Sequence, residues 1–171
     1  MLGDKSIAHR ALILSSWFKG VHTINNFPES EDILTTLDIL EMYGLQYRIK
    51  SNSIRIDSTN INFKKQKINC NSSGTSARLL CGYLTGANVE TKILGSRGLA
   101  ARPMDRVVVP LNSFGGNIKS TGSGLPIYIR PSSKLRSFYY NLKIPSAQVK
   151  SCLIFYAMFM GGISSISGEI H

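Results

Sequence analysis

Apolar positions along the chain fall into two rhythms that alternate. In 6–18, Ile7, Ala11, Leu12, Leu14 and Trp17 recur at roughly helical spacing, and Gly20 closes the segment. Val21–Asn25 alternates as a strand does. Pro28-Glu29-Ser30-Glu31-Asp32 opens a second helix, with acids in the first turn where the helix dipole favours them. Its apolar face is Ile33, Leu34, Leu37, Leu40 and Met42, and Gly44 stops it. Gln46–Lys50 and Ser53–Asp57 predict a hairpin across Ser51-Asn52. Lys64-Lys65-Gln66-Lys67 reads as a solvated loop before a strand. The rhythms then return: a helix over 74–85, a strand over 89–94, and a helix over 103–114 with Pro103 near its first turn and Gly115-Gly116 at its end. Strands follow near 117–120 and 126–130. A third helix of the leading type covers 146–160, and a strand covers 162–167.

The order helix, strand, helix, strand, strand therefore occurs twice and begins a third time. The leading helices open at Ser6, Gly74 and Ser146, which stand 68 and 72 residues apart. A supersecondary repeat of that length predicts an α/β (α+β) fold with helices packed on sheets. The repeat units are about 1–58, 68–131 and 141–171, the last truncated. Both ends read as cut: Met1 stands almost directly at a functional-looking motif, and Gly168-Glu169-Ile170-His171 stops with no cap or tail.

Composition narrows the function. With 43% apolar and 18% charged residues, the 171-residue chain is of the globular kind, long enough for one real core. Its formal charge of +10 suits nucleic acid, an anionic membrane surface, a small anionic substrate, or a basic piece of a larger protein. The cations are scattered, and no stretch alternates basic and aromatic residues, which argues against nucleic acid. Cys70, Cys81 and Cys152 form no C-x-x-C pair and read as buried thiols in a reducing compartment. His9, His22 and His171 lack metal-ligand spacing, so no metal is expected. The apolar run at 152–163 is too short to span a bilayer, and the start has no signal-peptide pattern. A cytoplasmic protein without a membrane partner is expected.

The candidate chemistry lies at three helix openings: Asp4-Lys5-Ser6-Ile7-Ala8-His9-Arg10, Ser72-Ser73-Gly74-Thr75-Ser76-Ala77-Arg78 and Pro145-Ser146-Ala147-Gln148-Val149-Lys150. Free N–H groups and the positive end of the dipole make a helix start an anion site. Ser6 and Arg10 share a helix face, with Lys5 just outside it. Around Gly74 small residues let backbone approach a phosphate closely, although no lysine precedes Thr75 as a Walker A loop requires. Arg78 suits either a ligand or a structural ion pair. Arg102, held before Pro103 at the mouth of the loop 95–103, suits a fixed anion contact. Ser146 and Gln148 offer neutral hydrogen bonds. Each opening also has a plain reading, a capped helix with solvated charges. Glu29, Glu31 and Asp32 read as helix-dipole acids, and the aromatic and methionine run at 155–160 reads as core.

Four pieces in this order resemble the 5-enolpyruvylshikimate-3-phosphate synthase (3-phosphoshikimate 1-carboxyvinyltransferase) family. They are Asp4-Lys5-Ser6-Ile7-Ala8-His9-Arg10-Ala11-Leu12, Ser73-Gly74-Thr75-Ser76-Ala77-Arg78-Leu79-Leu80, Arg102-Pro103-Met104 and Pro145-Ser146-Ala147-Gln148-Val149-Lys150-Ser151. The related enolpyruvyl transferase of cell-wall synthesis matches less well, lacking the Asp-Lys-Ser-x-x-His-Arg opening. The resemblance implies repeated βαβαββ units forming one domain of a two-domain fold, here incomplete and without the second domain. It implies transfer of the enolpyruvyl group of phosphoenolpyruvate to the 5-hydroxyl of shikimate 3-phosphate, with no metal or organic cofactor and a monomeric intact protein. Lys5, Ser6, Arg10, Ser146, Ala147 and Gln148 would hold shikimate 3-phosphate. Lys5, Gly74, Arg102 and Gln148 would hold phosphoenolpyruvate. The acid/base groups would lie in the second domain, so no catalytic residue is expected in this stretch. The chain departs from the family at Ser72, where an asparagine is usual, and at Ser96, where an acid is usual. The alternatives are an inactive fragment and a non-enzymatic basic module that binds anions or nucleic acid.

Overall fold

The computed structural model describes residues 3–168. Met1, Leu2, Glu169, Ile170 and His171, to which the expectation of cut ends is tied, lie outside the described residues.

α1 (Lys5–Trp17) starts because the Asp4 side chain accepts the Ile7 N–H. The cap is therefore Asp4, and Lys5 and Ser6 both lie inside the first turn instead of at its edge. β1 (Val21–Asn25) follows, then α2 (Glu31–Glu41), capped by Ser30. β2 (Gln46–Lys50) and β3 (Ser53–Asp57) form the expected hairpin. β1, β3 and β2 make a three-stranded antiparallel sheet, in which Ile54 of β3 sits between Ile24 and Ile49. The second unit adds β4 (Gln66–Asn69), α3 (Gly74–Gly86), β5 (Thr91–Leu94), α4 (Arg97–Ala100), α5 (Asp105–Ser113), β6 (Asn117–Thr121) and β7 (Gly124–Arg130). Its sheet order is β4-β5-β7-β6, with β4 parallel to β5 and the other pairs antiparallel. The third begins with β8 (Tyr139–Asn141), α6 (Ala147–Ala157) and β9 (Ser165–Ser167), and β8 runs parallel to β9 as β4 does to β5.

Three expectations need correction. Gln66 and Lys67 belong to a strand, because parallel pairing to Thr91 and Lys92 holds them although only Ile68 turns into the core. The 95–103 loop contains a one-turn helix, since the Ser96 side chain accepts the Leu99 N–H. The next helix starts at Asp105 with Pro103 outside it. Smaller differences are trims: β5 begins at Thr91, α6 ends at Ala157 and β9 begins at Ser165.

α3 is the axis of the molecule, packing on α1, α2, α5, α6 and the second sheet. Leu79, Leu80, Cys81, Tyr83 and Leu84 on it are wholly buried. Each large apolar side chain so removed from water contributes roughly 1.5–3 kcal/mol. Gly82 and Gly86 let α6 come close: a Cβ on Gly82 would stand 2.0 Å from the Cys152 carbonyl oxygen, and one on Gly86 2.7 Å from that of Tyr156. Burial pushes the Cys70 and Cys81 thiols up to about 12, and raises Cys152 as well. Among the described residues no helix is long and apolar enough to cross a membrane.

Candidate anion-binding site

The starts of α1, α3 and α6 converge. Arg10 is the link between the first and third. Its Nη1 donates to the Ser6 carbonyl at 2.6 Å, its Nη2 to the Ala147 carbonyl at 3.3 Å, and its Nε to Ser151 Oγ at 2.8 Å. Ser6, Arg10 and Ala147 are thus brought together by one guanidinium. Ser146 caps α6, accepting the Val149 N–H at 3.3 Å. Ser73, not Gly74, caps α3.

Gln148 joins the third helix to the second. Its Oε1 accepts from Arg78 Nη1 at 3.1 Å, and its Nε2 donates to Thr75 Oγ1 at 3.0 Å. Arg78 also donates to the carbonyls of Gly74 at 3.4 Å and Pro103 at 3.2 Å. A Cβ on Gly74 would lie 2.9 Å from Arg78 Nη1 and 3.3 Å from Arg102 Nη1. Glycine therefore lets two guanidinium groups close over the backbone at the helix start. A cavity of about 350 Å³ opens here, lined by Arg78, Arg102, Pro103, Arg106, Ser146, Gln148 and Val149. Among the described residues no carboxylate lines it. Burial, then the neighbouring Arg102 and Arg106, lower the pKa of Arg78 from the ordinary arginine value. Three cations gathered without an acid repel one another, and a bound anion relieves that repulsion.

Lys5 stands apart from this set, its ammonium paired with the Asp32 carboxylate at the start of α2. Asp32 thus does more than complement its helix dipole. The two departures at Ser72 and Ser96 face each other, their hydroxyls 3.1 Å apart. Sequence reasoning did not assign Arg78 and Arg106 to the site. For Arg78 a signal existed, since it lies one turn after Gly74 on the same face; for Arg106 only the path of the 95–103 loop shows it. A second, more apolar cavity of about 330 Å³ lies between α5 and β8, with Val109, Pro110, Tyr140 and Leu142 among its walls.

The family model for EPSP synthase (3-phosphoshikimate 1-carboxyvinyltransferase) matches residues 1–171. The chain belongs to the EPSP synthase family. It is 40% identical over 167 residues to the 3-phosphoshikimate 1-carboxyvinyltransferase of Clostridium tetani, covering 96% of this chain and 38% of that protein. It is 38% identical over 169 residues to the enzyme of the same name from Streptococcus sanguinis, covering 96% of this chain and 40% of the relative. The structure of EPSP synthase from Acinetobacter baumannii superposes with a TM-score of 0.92 at 28% identity, over 99% of this chain and 40% of that one. The chain thus spans about two fifths of the length of these EPSP synthase relatives.

Proposed function

We propose that the full-length protein to which this chain belongs transfers the enolpyruvyl group of phosphoenolpyruvate to the 5-hydroxyl of shikimate 3-phosphate and releases phosphate, in aromatic amino acid biosynthesis. The observation that carries the reading is the acid-free cluster of Arg78, Arg102 and Arg106 against Gly74 and Gln148, one helix start away from Arg10. Two small substrates with several negative groups match two adjoining cationic sets. Lys5, Ser6, Arg10, Ser146, Ala147 and Gln148 hold shikimate 3-phosphate. Gly74, Arg102 and Gln148, joined by Arg78, hold phosphoenolpyruvate, and Lys5 reaches both substrates by exchanging Asp32 for them.

In the reaction the hydroxyl oxygen bonds to the central vinyl carbon of phosphoenolpyruvate while the terminal carbon gains a proton. The hydroxyl gives up its own proton in this addition, and one proton of the new methyl group is then lost as the carbon–oxygen bond breaks and phosphate leaves. The residues of this chain position the reactants and neutralise carboxylate and phosphate charge. Among the described residues no carboxylate or histidine lines the cavity, and Asp32 is engaged by Lys5. The 171-residue chain by itself is therefore expected not to turn over, and the remainder of the protein supplies those groups. The intact protein works as a cytoplasmic monomer without a metal or cofactor.

The full-length gene should rescue a strain auxotrophic for aromatic amino acids; no rescue despite good expression sinks the proposal. In the same protein, Arg10→Ala should weaken shikimate 3-phosphate binding, and Arg102→Ala phosphoenolpyruvate binding. Each loss should be about tenfold to a hundredfold, the equivalent of one charge-assisted hydrogen bond. Equal effects on both ligands would show the site assignment to be wrong.

A further inference from the structure

Beneath the anion-binding ends lies a buried polar row that the proposed chemistry does not use. His9, one residue before Arg10 on α1, is only 1% exposed. Its Nδ1 lies 2.8 Å from Thr36 Oγ1 of α2, and that oxygen lies 2.7 Å from Ser76 Oγ of α3. Ser76 Oγ donates to Ser73 Oγ at 2.7 Å, and Ser73 caps α3. The Thr36 and Ser76 hydroxyls also reach the Asp32 carbonyl, at 3.5 and 3.3 Å. With no partner for Nε2 among the described residues, the tautomer that leaves no buried N–H unpaired has the proton on Nδ1, donated to Thr36 Oγ1. Nε2 is then a bare acceptor, buried and without a hydrogen-bond partner.

The row crosses the first two turns of three helices. On α1 these turns carry Lys5, Ser6 and Arg10; on α2, Asp32; on α3, Gly74 and Arg78. We propose that His9 is a positioning residue, which through Thr36 and Ser76 holds α1 in register with α3 and so fixes the spacing between the two cationic sets. It touches neither substrate. The charged groups facing it are Asp32 from α2, and Lys5 and Arg10 from its own helix; α3 presents hydroxyls. Burial outweighs the attraction of Asp32 and keeps the ring neutral, its pKa lowered to about 4.

The proposal rests on the enolpyruvyl-transfer reading, and its test separates the two. In the full-length protein, His9→Leu and Thr36→Val should raise the KM for phosphoenolpyruvate, at saturating shikimate 3-phosphate, by about tenfold, the equivalent of one lost hydrogen bond. His9→Asn puts an amide nitrogen where Nδ1 stands and should remain within about threefold of the unmodified protein. A purely structural role would lower the melting temperature and the active fraction but leave the KM of the folded molecules unchanged. Unchanged KM in His9→Leu and Thr36→Val, or His9→Asn no better than His9→Leu, overturns the proposal. If the unmodified protein does not use these substrates, the functional reading fails and nitrogen-15 NMR decides alone. His9 should then stay neutral with its proton on Nδ1 from about pH 5 to 8, and Thr36→Val should shift that resonance. Titration near 6.5, or a proton on Nε2, overturns it.

Discussion

Gly82→Ala is the sharpest test of the packing that aligns the site. Helix propensity alone favours the change by about 0.8–1 kcal/mol, because glycine in a helix interior carries excess unfolded entropy. The structure opposes it. The new methyl would stand 2.0 Å from the Cys152 carbonyl oxygen and 2.7 Å from both its carbonyl carbon and Sγ, where real contacts essentially never fall below 3.0 Å. Relief requires α6 to retreat from α3 by about 1 Å, enough to forfeit a quarter to a half of each dispersion contact it breaks. Overpacking of this kind costs about 1–3 kcal/mol. The net expectation is destabilisation by up to about 2 kcal/mol, read as a fall of up to roughly 8 °C in the melting temperature. Gly98→Ala in α4 is the control: nothing lies within 4 Å of its Cβ, so it should be neutral or stabilising. Denaturant melts of the two variants suffice. A Gly82→Ala protein as stable as the unmodified one, or more so, would refute the close α3–α6 contact.

Other consequences follow from the same geometry. Arg78→Ala should weaken phosphoenolpyruvate binding about tenfold or more in the full-length protein, and Arg78→Lys should not restore it, because a single ammonium cannot reach Gln148, Gly74 and Pro103 together; titration calorimetry measures both. His9, at 6.5 unfolded and about 4 folded, binds its proton more readily in the unfolded chain. Its contribution, on the order of 3 kcal/mol, is fully present above about pH 6.5 and is lost as the pH falls towards 4, so His9→Asn should flatten that part of the stability–pH curve. Cys70, Cys81 and Cys152, buried with raised pKa values, should resist a thiol reagent until the protein unfolds.

The elements legible in the sequence are those whose local signals agree with their packing. α2 has a serine cap, two first-turn acids and an apolar face all in register, and the β2–β3 hairpin alternates cleanly about its two-residue turn. β8 and the first two residues of β4 escape because these are short strands held by parallel partners distant in sequence, which leave little mark on their own residues. Of the expected site residues, Arg102, Ser146 and Gln148 line one cavity and Gly74 packs beneath the Arg78 and Arg102 guanidinium groups, because each sits at or beside a helix start and the repeat brings those starts together. The pairing of Lys5 with Asp32 and the gathering of Arg106 are tertiary. They depend on the approach of α2 to α1 and the path of the 95–103 loop, which no local pattern encodes.

The central claim is that these cationic helix starts serve enolpyruvyl transfer. The purified full-length protein, given shikimate 3-phosphate and phosphoenolpyruvate together, should release one phosphate for each enolpyruvyl ether formed, with mass spectrometry identifying the product. Omission of either substrate should abolish release, and Arg102→Ala should raise the phosphoenolpyruvate concentration required. A folded, full-length protein that releases no phosphate from the pair, or releases it without shikimate 3-phosphate, would contradict the account.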